Sequence, residues 1–399
     1  MTLTAEPNRT KSGNRTGACP NCRCDATAAR ARAVVADDCR YMLAHLKDEL
    51  RAMAGGRLLI TGGAGFLGYY LTHAVAAWNR QAAPANRIAT TVSDSFFRGA
   101  PTWLDELRDG DGVRLVTWDV RDAMPAELGQ LDWVIHAASI ASPTYYRAHP
   151  LETMDANIGG LRRLLDAARA QADAGRPPRG ILFYSSSEIY GDPAVIPTPE
   201  DYRGFVSCTG PRACYDEAKR FGETLCVVFA RHYGLPVKVA RPFNNYGPGL
   251  KLDDKRVVSD FARDVLAGRD IVMLSDGTAT RTFCYVADAV VGYFKVLVRG
   301  GAGEAYNVGI EEPEVTVAAF AREMADAGRE LFGYAGKVVT APPPDADYLK
   351  DNPNRRCPVM AKARRDLDFR PSVGLAEGLR KLLTWYAAHP ATGYEEQKA

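Results

Sequence analysis

A short apolar stretch that runs straight into closely spaced glycines restricts this chain more than any other feature. Arg57-Leu-Leu-Ile-Thr61 reads as a strand. Gly62-Gly-Ala-Gly-Phe-Leu-Gly68 follows at once, and Phe66, Leu67, Tyr70, Leu71 and Val75 then recur at helical spacing. A strand that turns on glycine into a helix leaves the first helical N–H groups free to face an anion. Gly62, Gly65 and Gly68 suit a dinucleotide: the turn is tight, and a pyrophosphate can approach the backbone and the amides of Phe66 and Leu67. Glycine turns after strands are common. The strand before and the helix after are the context that selects dinucleotide binding here.

More apolar runs follow at 87–93, 113–118, 131–137, 180–185 and 236–241, with helical patterns between them at 154–173 and 213–233. Strands alternating with helices imply an α/β fold, a doubly wound parallel sheet covered on both faces. Beyond Asn244 the alternation loosens into helices near 256–267, 286–299, 315–333 and 374–388, a short strand near 305–308 and a loop at Pro342-Pro-Pro344. The expected organisation is a flexible tail over 1–26, a helical extension over 27–55, an NAD-binding domain over 56–245 and a mainly substrate-binding part over 246–390. Segments of that last part are expected to return to the sheet. The extension carries Val34, Val35, Met42, Leu43, Leu46 and Leu50 at amphipathic spacing, a stripe that must cover the main domain or a partner chain.

Composition excludes several classes. Of 399 residues, 50 are Lys or Arg and 48 are Asp or Glu, and no long basic run occurs, so no nucleic acid is expected. No apolar stretch reaches the about 18 residues of a membrane span, and the polar start has no signal-peptide core, so a cytosolic enzyme without membrane contact is expected. Nine cysteines, an odd number, do not make a disulfide framework. Cys19, Cys22 and Cys24 cluster, and Cys39 would complete a zinc knuckle. Structural zinc sites use two regularly spaced ligand pairs, so free thiols and no metal are the expectation.

The second run ends at Val92-Ser-Asp94, where an acid accepts the adenosine ribose hydroxyls and favours NAD over NADP. A solvated loop acid is the plain alternative, and nearby Arg98 leaves NADP as another. Asp119-Val120, at the next strand end, is placed to meet the adenine, though an acid there is also routine. Tyr215 and Lys219 lie four apart, on one face of a helix. A free phenol titrates near 10, too high for a base at neutral pH. An ammonium and a nicotinamide cation beside it would lower it, so that Tyr215 takes a hydroxyl proton while hydride leaves. The pair alone is also common on helix surfaces. Tyr184-Ser-Ser-Ser-Glu-Ile-Tyr190 continues an apolar strand, which places Ser186, Ser187 and Glu188 in the crevice at the sheet's carboxyl edge. A polar turn is the plain alternative for a serine run, but a carboxylate beside an apolar strand needs a partner or a task. Arg256, Arg281 and Arg356 suit diphosphates or carboxylates, with a solvated surface as the alternative for each.

Taken together, Thr61–Gly68, Ser187-Glu188, Tyr215/Lys219 and Arg241-Pro-Phe-Asn-Asn-Tyr-Gly-Pro248 resemble an extended short-chain dehydrogenase/reductase acting on a nucleotide sugar, and within that superfamily UDP-glucuronate decarboxylase. Gly210-Pro-Arg-Ala-Cys-Tyr-Asp-Glu-Ala-Lys-Arg220, Arg256–Phe261, Thr280–Val286 and Asp351-Asn-Pro-Asn-Arg-Arg356 carry the likeness further, over about residues 56–388. The resemblance implies retained NAD, with Ala137 beside it and Tyr215 as the base at carbon 4 of the glucuronosyl group. Loss of carbon dioxide from the 4-ketone follows, then protonation at carbon 5 and return of the hydride, without a metal. It implies that Glu188 and Arg356 act at the reacting carbons, and that Asn244, Arg256, Arg281 and Tyr285 hold the UDP-sugar. It implies a homodimer through the helices at 154–173 and 213–233. Ser187 replaces the acid of many 4,6-dehydratases, and 4-epimerases usually lack the acid at 188, which favours decarboxylation. A 4-epimerase, a 4,6-dehydratase and a non-catalytic NAD-binding scaffold are the alternatives. The chain departs from the family pattern at Cys357 (usually Lys), Val359 (an acid), Tyr69-Tyr70 (a small residue and His) and Asp368-Phe369 (Gly-Trp).

Overall fold

The computed structural model describes residues 20–108, 111–343 and 352–389. Seven parallel strands form one sheet: β1 (Arg57–Thr61), β2 (Ala89–Asp94), β3 (Val113–Thr117), β4 (Trp133–His136), β5 (Gly180–Tyr184), β6 (Val237–Pro242) and β7 (Ala305–Val308). Their order is β7-β6-β5-β4-β1-β2-β3. The order reverses at β1, which has β4 on one side and β2 on the other. In a doubly wound sheet that reversal opens a crevice at the carboxyl ends of the strands.

Side chains alternate along each strand, so the sheet feeds two apolar layers. Leu58 and Ile60 of β1 and Leu182 of β5 enter one layer; Leu59, Val134, Ile181 and Phe183 enter the other. Helix α1 (Pro20–His45), α2 (Lys47–Met53) and α3 (Phe66–Gln81) lie on the first side. On the second, α4 (Leu161–Asp173) buries Leu161, Leu164, Leu165 and Ala168, and α5 (Ala213–Tyr233) buries Cys226 and Phe229. The expected helix over 154–173 is divided: Asp155–Gly160 is a π-helical turn. Gly160 comes so close to the end of β3 that a Cβ on it would lie 2.7 Å from the Val120 side chain. The later half supplies α6 (Val257–Leu266), α7 (Val286–Arg299), α8 (Val317–Phe332), α9 (Leu375–Ala388) and β7.

The N-terminal extension belongs to this fold. Helix α1 begins at Pro20, ahead of the expected Thr27, so the expected tail over 1–26 is helical in its last part. Met42, Leu46, Leu50 and Met53 are fully buried against the main domain, which answers what the apolar stripe covers. Asp38, also fully buried, accepts hydrogen bonds from Tyr70 Oη (2.5 Å), Tyr285 Oη (2.6 Å) and Lys381 Nζ (2.9 Å). Glu49 of α2 is buried between Lys295 and Arg299 of α7. Cys19 lies outside the described residues; of the N-terminal cysteines only the Cys39 side chain is described, and it is buried.

Candidate active site

The turn after β1 is built by three glycines with different duties. Gly62 has φ +69°, and a Cβ on it would lie 2.5 Å from Ala138 Cα, so the turn rests on Ala137-Ala138 at the end of β4. A Cβ on Gly68 would meet the Gly63 carbonyl at 2.1 Å; this glycine lets α3 dock on the loop. Gly65 meets only Gly62 O, at 3.2 Å, and otherwise faces open space. The N–H groups of Phe66, Leu67 and Gly68, in the first turn of α3, have no acceptor within the helix. Asp94 pins this loop from β2: its carboxylate accepts the N–H of Ala64 (3.1 Å) and of Phe96 (2.9 Å). Burial raises its pKa against those bonds. Asp119 lies at the next strand end, where Arg121 binds its carboxylate and lowers its pKa. At or just beyond the carboxyl ends of β2, β4 and β5, Ser93 Oγ, His136 Nε2, Ser139 Oγ and Ser185 Oγ are buried without a hydrogen-bond partner. An open glycine cradle, free helical amides and orphaned polar atoms on one crevice fit a dinucleotide.

The other wall grows from β5. After Tyr184 the chain passes through Ser185 and Ser186 into a single turn, Ser187–Tyr190. Ser186 Oγ accepts the Glu188 N–H (3.2 Å), and Ser187 is buried. Helix α5 crosses β5 closely because residue 222 is glycine: a Cβ there would lie 2.5 Å from the Phe183 ring. That contact seats Lys219 and Tyr215. Lys219 Nζ donates to Tyr184 O (2.7 Å) and lies 5.0 Å from the Phe183 ring centroid and 5.6 Å from that of Tyr215. Tyr215 stacks on Tyr146 with ring centroids 5.0 Å apart.

The expected acidification of Tyr215 calls for an ammonium and a nicotinamide cation together, and the protein's own groups alone do not produce it. Burial pushes the phenol up to about 12, against the hydrogen bond from Ser186 and the charge of Arg256. Burial also pushes the Lys219 amine down to about 7, which weakens it as a source of positive charge.

Glu188 is clamped by two arginines. Arg356 donates both terminal nitrogens to it (2.5 and 2.6 Å), and Arg212 donates to the same carboxylate. Burial opposes the charge, but Arg212 and Arg356 outweigh it and hold the carboxyl well below the usual range. Arg212 was not anticipated. It stands one turn before Tyr215 within the quoted Gly210–Arg220 block, and that position was the available signal. Arg356 reaches Glu188 because Arg355–Arg356 pairs in parallel with Thr280–Arg281. Arg281 serves this strand pair: its guanidinium donates to the carbonyls of Thr280 (2.7 Å), Pro353 (2.5 Å) and Asn354 (3.2 Å). Arg256 is held by Asp254, and its charge reaches Tyr215. Asn244, at φ +39°, donates to Thr282 O (3.0 Å).

One assignment and one alternative are corrected. Tyr285 does not join the site: it is fully buried in the core with its hydroxyl on Asp38 of α1. Arg98 is not free for a cofactor phosphate, since it pairs with Asp253 (2.9 Å) and Asp254 (3.1 Å). The substituted Cys357 is buried, with its thiol on Glu311 O (3.3 Å).

Residues 58–309 match the model of the NAD dependent epimerase/dehydratase family. The chain belongs to this family. Its fold is that of the extended short-chain dehydrogenase/reductases, and its cofactor is NAD. UDP-glucuronic acid decarboxylase 1 of Xenopus tropicalis is 35% identical over 83% of this chain and 72% of its own. UDP-glucuronic acid decarboxylase 5 of Arabidopsis thaliana is 35% identical over 84% of this chain and 90% of its own. Among solved structures, a Methanothermobacter thermautotrophicus epimerase superposes with a TM-score of 0.73 at 26% identity, covering 87% of this chain and 96% of its own. A dTDP-glucose 4,6-dehydratase of Streptomyces venezuelae, solved with NAD bound, gives 0.70 at 26%, covering 83% and 96%. The family match begins just after the extension, and no helix among the described residues is long and apolar enough to cross a membrane.

Proposed function

We propose that the protein converts UDP-glucuronate to UDP-xylose, as a cytoplasmic homodimer. The observation that carries this reading is the Glu188 carboxylate held between Arg212 and Arg356 on the same crevice as Tyr215. The likeness to UDP-glucuronic acid decarboxylases supports the choice of substrate. NAD, when bound, supplies the hydride acceptor for carbon 4 of the sugar and gives the hydride back after carbon dioxide has left. Tyr215 takes the carbon-4 hydroxyl proton, and Ser186 shares it. The phenol stays protonated under the protein's own groups, so it acts as a base only when further positive charge is bound beside it. A 4-ketone is β to the carboxylate and accepts the electrons released with carbon dioxide. Arg356 exchanges part of its hold on Glu188 for the substrate carboxylate, a bidentate partner of the same chemistry. Glu188 with Arg356 then manages the proton at carbon 5. Arg256 and Asn244 hold the diphosphate side.

Incubation with UDP-glucuronate labelled with carbon-13 at the carboxylate tests the reading. Labelled carbon dioxide and a UDP-pentose are expected. A UDP-sugar of unchanged mass would overturn it in favour of 4-epimerisation, and loss of water in favour of dehydration.

A further inference from the structure

The crevice is crossed by a bridge of charges that none of the roles above uses. Arg98 follows Asp94 on the β2 side; Asp253 and Asp254 follow β6 on the far side of the switch point. The guanidinium of Arg98 donates to both acids, at 2.9 and 3.1 Å, and lies 4.3 Å over the Tyr145 ring. The backbone joins in: Lys251 Nζ donates to Arg98 O (2.7 Å), and Ser142 Oγ, from the segment after β4, donates to Asp254 O (2.7 Å). Asp254, buried, also binds Arg256, whose charge reaches Tyr215. Both ends of the bridge are strained. Phe96 (φ +54°) and Lys255 (φ +60°) occupy the left-handed region, which such side chains keep only where neighbours enforce it.

Since β2 and β6 lie on opposite sides of β1 and β4, a link between the segments that follow them spans the crevice where a dinucleotide lies. We infer that Arg98 with Asp253 and Asp254 is a latch that retains the cofactor between the two hydride transfers. Arg98 is a positioning residue: it ties the loop that pins the glycine turn to the segment that carries Arg256. The inference rests on the dinucleotide occupying this crevice.

The test measures release of bound NADH from the holoenzyme by displacement with excess NAD, for wild type, Arg98→Met and Asp253→Asn. Both substituted side chains are at least partly exposed, and Met keeps the aliphatic contact with Tyr145. Each variant is expected to release NADH at least about threefold faster, the effect of losing one partly exposed ion pair. Arg98→Lys should restore part of the retention, and the double variant should exceed neither single one by much. Release within less than threefold of wild type in both single variants would overturn the latch while leaving the proposed reaction standing. A wild-type protein that binds no NADH at all would overturn both.

Discussion

Lys219 gives up its proton far more readily in the folded protein than in an unfolded chain, because burial pushes its amine from 10.5 down to about 7. The unfolded chain therefore binds more protons between those two values, and stability rises with pH across that window. Lys251, pushed down to about 7, and Lys238, to about 8, add to the rise in the same direction. Urea unfolding of cofactor-free protein at pH 7 and pH 10 should show a smaller gain for Lys219→Met than for wild type. Equal gains would mean that Lys219 is not buried as described. At this scale the local motifs were legible in the sequence: Gly62, Gly65 and Gly68, Tyr215 with Lys219, and Ser186 with Glu188 each sit within a few residues of one another. The partners of Glu188 were only half legible, because Arg356 is 168 residues away and arrives through a two-residue strand pair. Tyr285 was misplaced because it lies inside the Thr280–Val286 block that carries the likeness, while its side chain turns into the core.

Among the elements, the strands were legible because each apolar run is short and bounded, and the helices after Asn244 followed from their spacing. Helix α1 was legible as amphipathic but not in where it docks. Its anchor is Asp38, whose partners Tyr285 and Lys381 are 247 and 343 residues away. The docking explains one departure from the family pattern. Tyr70 supplies a hydroxyl to Asp38, and Tyr69 packs against His73, Trp103 and Trp385 beside α1. Asp38→Ala would leave two buried phenols without their acceptor and the Lys381 ammonium with Glu377 alone. Breaking such a buried pair costs about 3 kcal/mol, and Asp38→Asn, which keeps an acceptor oxygen, should cost less. Chemical unfolding of the two variants measures both. No loss in Asp38→Ala would show that α1 adds nothing to the stability of the domain.

For the whole molecule, the unexplained surface lies on the back of the site helix. Helix α5 turns Tyr215 and Lys219 inward, and on its outer side exposes Phe221 (49%) and Val228 (39%), seven residues apart and hence on one face. The adjoining helix Pro150–Met154, which packs on α5, exposes Leu151 (70%) and Met154 (39%). Clustered apolar side chains on two packed helices suit burial against the same helices of a second copy, an isologous contact of the kind a two-fold axis creates. Phe221→Asp and Val228→Asp put a charge into that contact without touching the buried face of α5. Each is expected to weaken dimerisation about 30-fold or more, the effect of losing one central apolar contact of about 2 kcal/mol. Sedimentation velocity over a concentration series reads this directly. A wild-type monomer at all concentrations, or variants that associate like wild type, would overturn the two-fold arrangement. Because the same helix carries Tyr215 on its other side, the dissociated variants should also lose turnover at low protein concentration and regain it when concentrated. A charge that merely damaged the fold would not be reversed by raising the concentration.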